Sequence, residues 1–264
     1  MIDFHTHIFP EKIASRTLSF LSERCQTKPA TNGMSEGLLA SMEEAGLDCS
    51  IALPVVTKPS QFDSINRFAC EFQEGQILSF GGIHPESKDY KGQLNILKQY
   101  GFKGIKLHPD YQGVFIDDIH YKRIISYATE LDLIVSIHAG FDPGYPECTH
   151  CTPERIYNMF KDVRPEKLVL AHMGGFMRLD EVEECLVGLP VWFDTAVVFG
   201  KISDEQFMRI ARKHGTDKIL FATDSPWAGQ KEFVEHLKGL PFTDAEKQAI
   251  FHGNAEKLLE MKIG

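Results

Sequence analysis

Short apolar runs in this chain end repeatedly on a residue that can do chemistry: His7, His84, His108, His138, His172 and Asp224. Imidazole binds divalent cations and moves protons near neutral pH. A carboxylate beside a cation can take the proton of a water that the cation has acidified. The first run, Asp3-Phe4-His5-Thr6-His7, holds two histidines one pleat apart. In an alternating strand, His5 and His7 project to the same side and can chelate one ion, with Asp3 deeper on that side to receive a ring N–H. An isolated His-x-His is more often a pair of surface or core histidines; the other strand-end histidines tip the reading toward metal. His138, closing Val135-Ser136-Ile137-His138-Ala139-Gly140, is the expected third nitrogen ligand of a zinc-type set that leaves room for water and a carboxylate. Asp224, in Phe221-Ala222-Thr223-Asp224-Ser225-Pro226-Trp227, either caps the next turn or, beside a metal, takes the proton of a bound water. His172, before Met173-Gly174-Gly175, is read as a non-ligand that polarises or protonates a substrate oxygen.

These residues need a frame that brings strand ends together. Eight strand-like runs are expected over 2–7, 49–54, 77–84, 104–108, 133–138, 168–172, 191–195 and 219–224, rich in Ile, Val, Leu or Phe as in a buried parallel sheet. Helical segments intervene over 35–45, 64–74, 121–130, 153–160 and 203–213. Ser203 with Gln206 reads as a capping box, Thr152-Pro153 and Thr243-Asp244 as helix starts, and Gly46, Gly101 and Gly215 as helix ends. The β-α alternation predicts an α/β fold, a (β/α)8 TIM barrel of one domain over 1–264, with a lid insertion over about 8–47. Active sites of such barrels lie at the C-terminal strand ends. By composition, eight strand ends should hold roughly 0.3 histidines, so five is a several-fold excess even after discounting boundaries drawn with the histidines in view.

Composition bounds the partners. The chain has 264 residues, 43% hydrophobic and 25% charged, enough for a sizeable core, and a net charge of −9 that argues against nucleic acid and anionic membranes as partners. No basic n-region with an apolar stretch opens the chain, and no run approaches a membrane span. Six scattered cysteines read as reduced thiols, so the expectation is a cytoplasmic enzyme with a small-molecule substrate, and a homodimer as a fair guess at assembly.

The set Asp3-Phe4-His5-Thr6-His7, Ile137-His138-Ala139-Gly140, Ala171-His172-Met173-Gly174-Gly175 and Thr223-Asp224-Ser225-Pro226-Trp227 resembles the amidohydrolase superfamily, most closely the branch of aminocarboxymuconate semialdehyde decarboxylases and related metal-dependent hydrolases. The likeness extends to Gly253-Asn254-Ala255, a helix start like that closing many members. It implies a (β/α)8 barrel and one divalent ion, usually zinc (Zn2+). It implies His5, His7 and His138 as ligands, Asp224 as ligand or base, and His172 as the catalytic histidine of strand six. Lys106, inward with His108, could be carboxylated and bridge a second ion, anchor a substrate carboxylate, or pair with a barrel carboxylate. His84, His108 and Trp227 are expected to bind substrate or, with Lys106, a second metal; a hydrogen-bonded structural role for His84 is as frequent. Cys148-Thr149-His150-Cys151 lacks a second cysteine pair for a zinc knuckle and reads as a loop with free thiols, Cys151 near the pocket. Arg178 reads as a surface charge within possible reach of an anionic group.

The reaction expected first is hydrolysis of a small amide, ester or lactone-like compound by water activated between the metal and Asp224, with His172 on the carbonyl. The alternatives are a metal-dependent decarboxylase of an unsaturated or aromatic carboxylic acid and a barrel that binds metal and ligand without turnover. Phosphodiester cleavage is disfavoured, because relatives acting on DNA tend to carry a strand-four glutamate that is absent here.

Overall fold

The apolar runs form parallel strands in nine segments: β1 (Ile2–Thr6), β2 (Cys49–Ala52), β3 (Ile77–Ser79), β4 (Gly81–Gly82), β5 (Gly104–Leu107), β6 (Ile134–Ile137), β7 (Leu168–Leu170), β8 (Trp192–Asp194) and β9 (Ile219–Leu220). They pair β1-β2-β3 and β4-β5-β6-β7-β8-β9. The ends of this series meet, because Phe4 N–H donates to the Phe221 carbonyl at 2.9 Å and Asp224 N–H to the His5 carbonyl at 2.8 Å. The result, in a computed structural model that describes residues 1–263, is the expected (β/α)8 barrel.

Nine segments stand for eight strands because the run expected over 77–84 is interrupted at Phe80. The buried Asn66 causes the break to be tolerated: its side-chain oxygen accepts from Gly82 N–H at 2.8 Å and its NH2 donates to the Gly82 carbonyl at 2.9 Å. Both Gly82 backbone groups are thereby satisfied at the break.

A second irregularity alters the first strand. Asp3 pairs with Ser50, but Thr6 pairs with Ala52, so three steps along β1 match two along β2. Such a bulge breaks the two-residue alternation. Phe4 joins the inner cluster of Ile2, Ile51, Phe80, Ile134, Val169 and Leu220, and the next residue, His5, still reaches the barrel centre at Lys106. Asp3, expected beneath His5 on the same face, instead packs with Thr223 and Gln230, whose side chains donate to its Oδ2. Burial pushes the Asp3 carboxyl up to about 7, against the opposing effect of those donors.

The helices follow the expected signals with local changes. Helix α1 (Glu11–Cys25) and helix α2 (Ser35–Ala45) occupy the excursion between β1 and β2, and Gly46 ends α2 in the left-handed conformation at φ 69°. Thr152 and Ser203 cap the helices Pro153–Val163 and Asp204–His214. Gln206 does not close the expected box on Ser203; its amide donates to Asp180 Oδ1 on the neighbouring helix. The chain-closing helix Asn254–Leu259 is pinned to the barrel floor by Asn254, whose NH2 donates to the Thr216 and Ile219 carbonyls. Ala255, Leu258 and Leu259 of that helix join the inner cluster, while a larger apolar layer fills the space between strands and helices. Among the described residues no helix is long and apolar enough to cross a membrane.

Candidate active site

His5, His7 and Asp224 converge at the barrel mouth. The two Nε2 atoms lie 3.2 Å apart, and Asp224 Oδ1 is 3.4 Å from the first and 3.0 Å from the second. Donor atoms at these separations fit a cation about 2.0–2.2 Å from each. The protonation state supports that use. His5 donates its Nδ1–H to Asp194 Oδ2 at 2.9 Å, which leaves a lone pair on Nε2. Burial and the neighbouring Lys106 hold His5 well below the usual imidazole range, so the ring is neutral. Burial works to raise the Asp224 carboxyl, but the His5 and His7 rings outweigh it and keep the group below the ordinary carboxylate range. An anionic oxygen and a bare ring nitrogen therefore face one another, an arrangement that a cation would relieve.

Asp194 is a residue the sequence reading missed. It is fully buried at the end of β8, and besides His5 it holds the backbone of the next strand end: Oδ1 accepts from His172 N–H at 2.8 Å and from Ala196 N–H at 3.1 Å. The signal was an acidic residue closing the apolar run Val191-Trp192-Phe193. It thus takes the role of accepting a ligand's ring N–H that was expected of Asp3. His172 and Asp224 both adopt left-handed backbone, at φ 58° and 68°, where strands turn into loops. Such strain is held only by well-fixed surroundings, which the Asp194 bonds and the Asp224 N–H to His5 carbonyl bond supply.

His138 lies on the other side of the mouth. Its Nδ1 is 3.1 Å from His172 Nε2, and its ring stacks on His108 with centroids 4.1 Å apart. It is not grouped with His5, His7 and Asp224; the groups of possible ligands place it with His108 and Asp142. Tyr111 stacks on His108 in turn, with centroids 3.8 Å apart, so the three rings form a face-to-face column. Burial holds both histidines well below their ordinary value. Lys106 projects from β5 into the centre, with Nζ 3.1 Å from His5 Nε2; burial lowers the amine to about 8 while Asp194 and Asp224 oppose the shift.

The remaining candidates are dispersed. His84 is buried, with Nδ1 accepting from Glu86 N–H at 3.2 Å within its own loop. Trp227 is half-buried just past Asp224, its backbone N–H donating to the Asp224 carbonyl. Arg178 pairs with Glu181. Cys148 is exposed and Cys151 buried, both as free thiols, and neither falls in a group of possible metal ligands among the described residues. His150 between them is tied by Nδ1 and by its backbone N–H to Asp110 Oδ1, each at 2.8 Å. The loop stays close to strand six because Gly140, at φ 91°, lets its backbone meet Phe176, where a Cβ would lie 2.2 Å from the Phe176 nitrogen.

The amidohydrolase family model matches residues 2–261. No protein of curated function matches the chain. Among solved structures, an uncharacterized TIM-barrel protein from Bordetella bronchiseptica superposes with a TM-score of 0.75 at 17% identity, covering 98% of each chain. The 5-carboxyvanillate decarboxylase from Sphingomonas paucimobilis gives 0.73 at 15% identity over 99% of each chain. A dihydroxybenzoic acid decarboxylase from Polaromonas, with bound manganese and the inhibitor 2-nitroresorcinol, gives 0.71 at 16% identity over 98% of this chain and 96% of the other. At these identities the likeness carries the fold. It nevertheless corrects the expected reaction: the similar structures are mostly decarboxylases of aromatic acids, which favours the carboxy-lyase alternative over amide, ester or lactone hydrolysis. The physical reason the sequence misled is that a His-His-Asp metal set serves either reaction, and the ligands alone do not say which bond breaks.

Proposed function

Because the chain belongs to the amidohydrolase family, we propose that it is a metal-dependent carboxy-lyase acting on a flat, aromatic or unsaturated carboxylic acid. The observation that carries the reading is the Tyr111–His108–His138 ring stack standing beside the His5–His7–Asp224 donor set and Lys106. An aromatic column next to a cationic centre suits a planar anion that would stack on its outer ring. The decarboxylases among the similar structures, one of them with manganese, support the same choice.

His5, His7 and Asp224 would hold the divalent ion, with His138 as the further ligand expected from sequence. When bound, that ion supplies positive charge that neutralises the substrate carboxylate and any neighbouring oxyanion; zinc suits the histidine-rich donor set, and manganese is the ion of one similar decarboxylase. Lys106 adds a second positive charge beneath the substrate. The outer ring of the stack would hold the substrate plane, and burial of the histidines excludes water. In the reaction, the bond between the carboxylate carbon and the substrate breaks, CO2 leaves, and the electron pair left on the substrate carbon takes one proton. Asp224, held ionised, would take that proton from a water molecule, which leaves as hydroxide, and deliver it to carbon. His172 donates its Nδ1–H to the Ala196 carbonyl at 3.0 Å and sets Nε2 3.1 Å from His138 Nδ1, so as an acceptor it would orient a substrate hydroxyl at the edge of the same space.

The test is CO2 release from a panel of hydroxylated benzoates and unsaturated acids, with protein loaded with zinc or manganese. At least one acid should turn over, and Asp224→Asn should lower kcat by about 100-fold or more. Full activity in that variant would remove Asp224 from the proton path.

A further inference from the structure

The excursion between β1 and β2 is fastened to two loops at the barrel mouth. Past the end of α1, Ala30 N–H donates to the Pro226 carbonyl at 2.7 Å, two residues beyond Asp224. Within the last turn of α1, Arg24 donates its Nε–H to the Gly144 carbonyl, in the loop that follows β6 and His138. The chain from Arg24 to Ala30 therefore links the loop after β9 to the loop after β6, strands separated by β7 and β8. We propose that this segment is a strap across the site, latched by Arg24 on the Gly144–Tyr145 turn, and that the latch opens to admit a planar acid. The proposal rests on the carboxy-lyase reading for the identity of the ligand, but not for the motion.

Single side chains make the latch. The Arg24 guanidinium carbon stands 4.2 Å from the centre of the Tyr145 ring, within cation–π range. Tyr145 leans in turn on Tyr111, with centroids 5.2 Å apart and planes 48° apart, whereas Tyr111 and His108 lie 21° from parallel. Tyr145 is thus not a further member of the column but a ring set against its Tyr111 end, where a planar acid would stack. Cys25 packs on the same turn: a Cβ built on the buried Gly144 would lie 3.3 Å from Cys25 Sγ.

The two ends of the strap are held differently. The Ala30 end is a backbone bond, backed by Phe9 N–H donating to the Gly33 carbonyl at 2.8 Å. The Arg24 end depends on an exposed side chain, and the turn it grips is closed by its own local bonds: Gly144 N–H donates to Asp142 Oδ1 at 2.6 Å and Tyr145 N–H to the Asp142 carbonyl at 2.9 Å. Segments with few buried contacts open locally at lower cost than the core, so opening starts at Arg24 and carries Tyr145 off Tyr111. The residues beneath are closed off. His5 and Lys106 are 1% exposed, and His7 and Asp224 keep only 15% and 14% of their side chains open. A planar acid reaches them once the strap moves.

Native-state amide hydrogen exchange tests the latch without any acid. Arg24→Ala should speed exchange at Gly144 and Tyr145 about 5–30-fold and leave Ile134–Ile137 of β6 unchanged. Equal rates in wild type and variant would overturn the latch. A second arm locks it. In Gly144→Cys, diamide should oxidise the introduced thiol and Cys25 to a disulfide, because 3.3 Å is close to the roughly 3 Å that a disulfide sets between one β-carbon and the far sulfur. Peptide mass mapping identifies the link, and its failure to form would place Cys25 away from the turn and overturn the strap. With an acid that the wild type decarboxylates, reduced Gly144→Cys should match Gly144→Ala. The linked protein should lose at least about 10-fold in kcat/KM and regain it with dithiothreitol. Undiminished turnover by the linked protein would overturn the strap. If the wild type turns over no acid, the carboxy-lyase reading fails, and the exchange rates still decide the latch.

Discussion

Asp194 shows how one carboxylate can set the geometry of two neighbours. It fixes the His5 tautomer through Oδ2 and the His172 backbone through Oδ1. Asparagine at this position could donate to His5 Nδ1 instead of accepting from it, turning the proton toward Nε2 and away from use as a ligand. Asp194→Asn is therefore expected to weaken zinc binding about 10–100-fold in a competition titration against a chelator. Unchanged affinity would show that His5 keeps its tautomer without the carboxylate. His5, His7, His138, His172 and Asp224 were legible in the sequence because each closes or adjoins an apolar run. Asp194, Asp110 and Asp142 were not singled out. Asp110 lies in the short helix Pro109–Gln112 and Asp142 in a loop, places where an acidic residue is ordinary and only its three-dimensional neighbours distinguish it.

The eight expected runs became strands because parallel sheets covered by helices need continuous apolar segments. Their interruptions were not legible. The β1 bulge is a property of pairing with β2, so the strict alternation that put Asp3 under His5 failed at Phe4. The break at Phe80 depends on Asn66, sixteen residues upstream of Gly82. Asn66 is buried and answers both Gly82 backbone groups, so Asn66→Ala leaves a donor and an acceptor unsatisfied. We expect a loss of about 2–4 kcal/mol in urea unfolding with an unchanged m-value. A loss below about 0.5 kcal/mol would mean that water or β2 replaces the amide.

Across the whole molecule, buried ionisable groups couple stability to pH with opposing signs. His214 stacks on Phe193 at 3.9 Å, and its Nε2 faces the Val191 carbonyl at 2.9 Å; burial depresses it below the ordinary value. The unfolded chain then binds the proton first as pH falls, so the contribution of neutral His214 is present above pH ~6.5 and is lost as pH drops toward its lower folded value. Asp3 works the other way: with a folded value of about 7, its protonated form favours the fold at low pH and that contribution is lost as pH rises toward 7. A single melting curve would blend the two. The stability difference between wild type and His214→Gln should therefore shrink as pH is lowered from 7.5 to 5, measured by urea unfolding at each pH. A difference that stays constant would show that His214 does not stay neutral in the fold.

The reaction itself is tested most directly in deuterium oxide. With zinc- or manganese-loaded protein and an acid from the panel that turns over, CO2 should be released in step with product. That product should carry one deuterium at the carbon that lost the carboxylate, read by NMR and mass spectrometry. Product that retains its carboxylate, with an amine, alcohol or second acid formed and no CO2, would contradict the carboxy-lyase account.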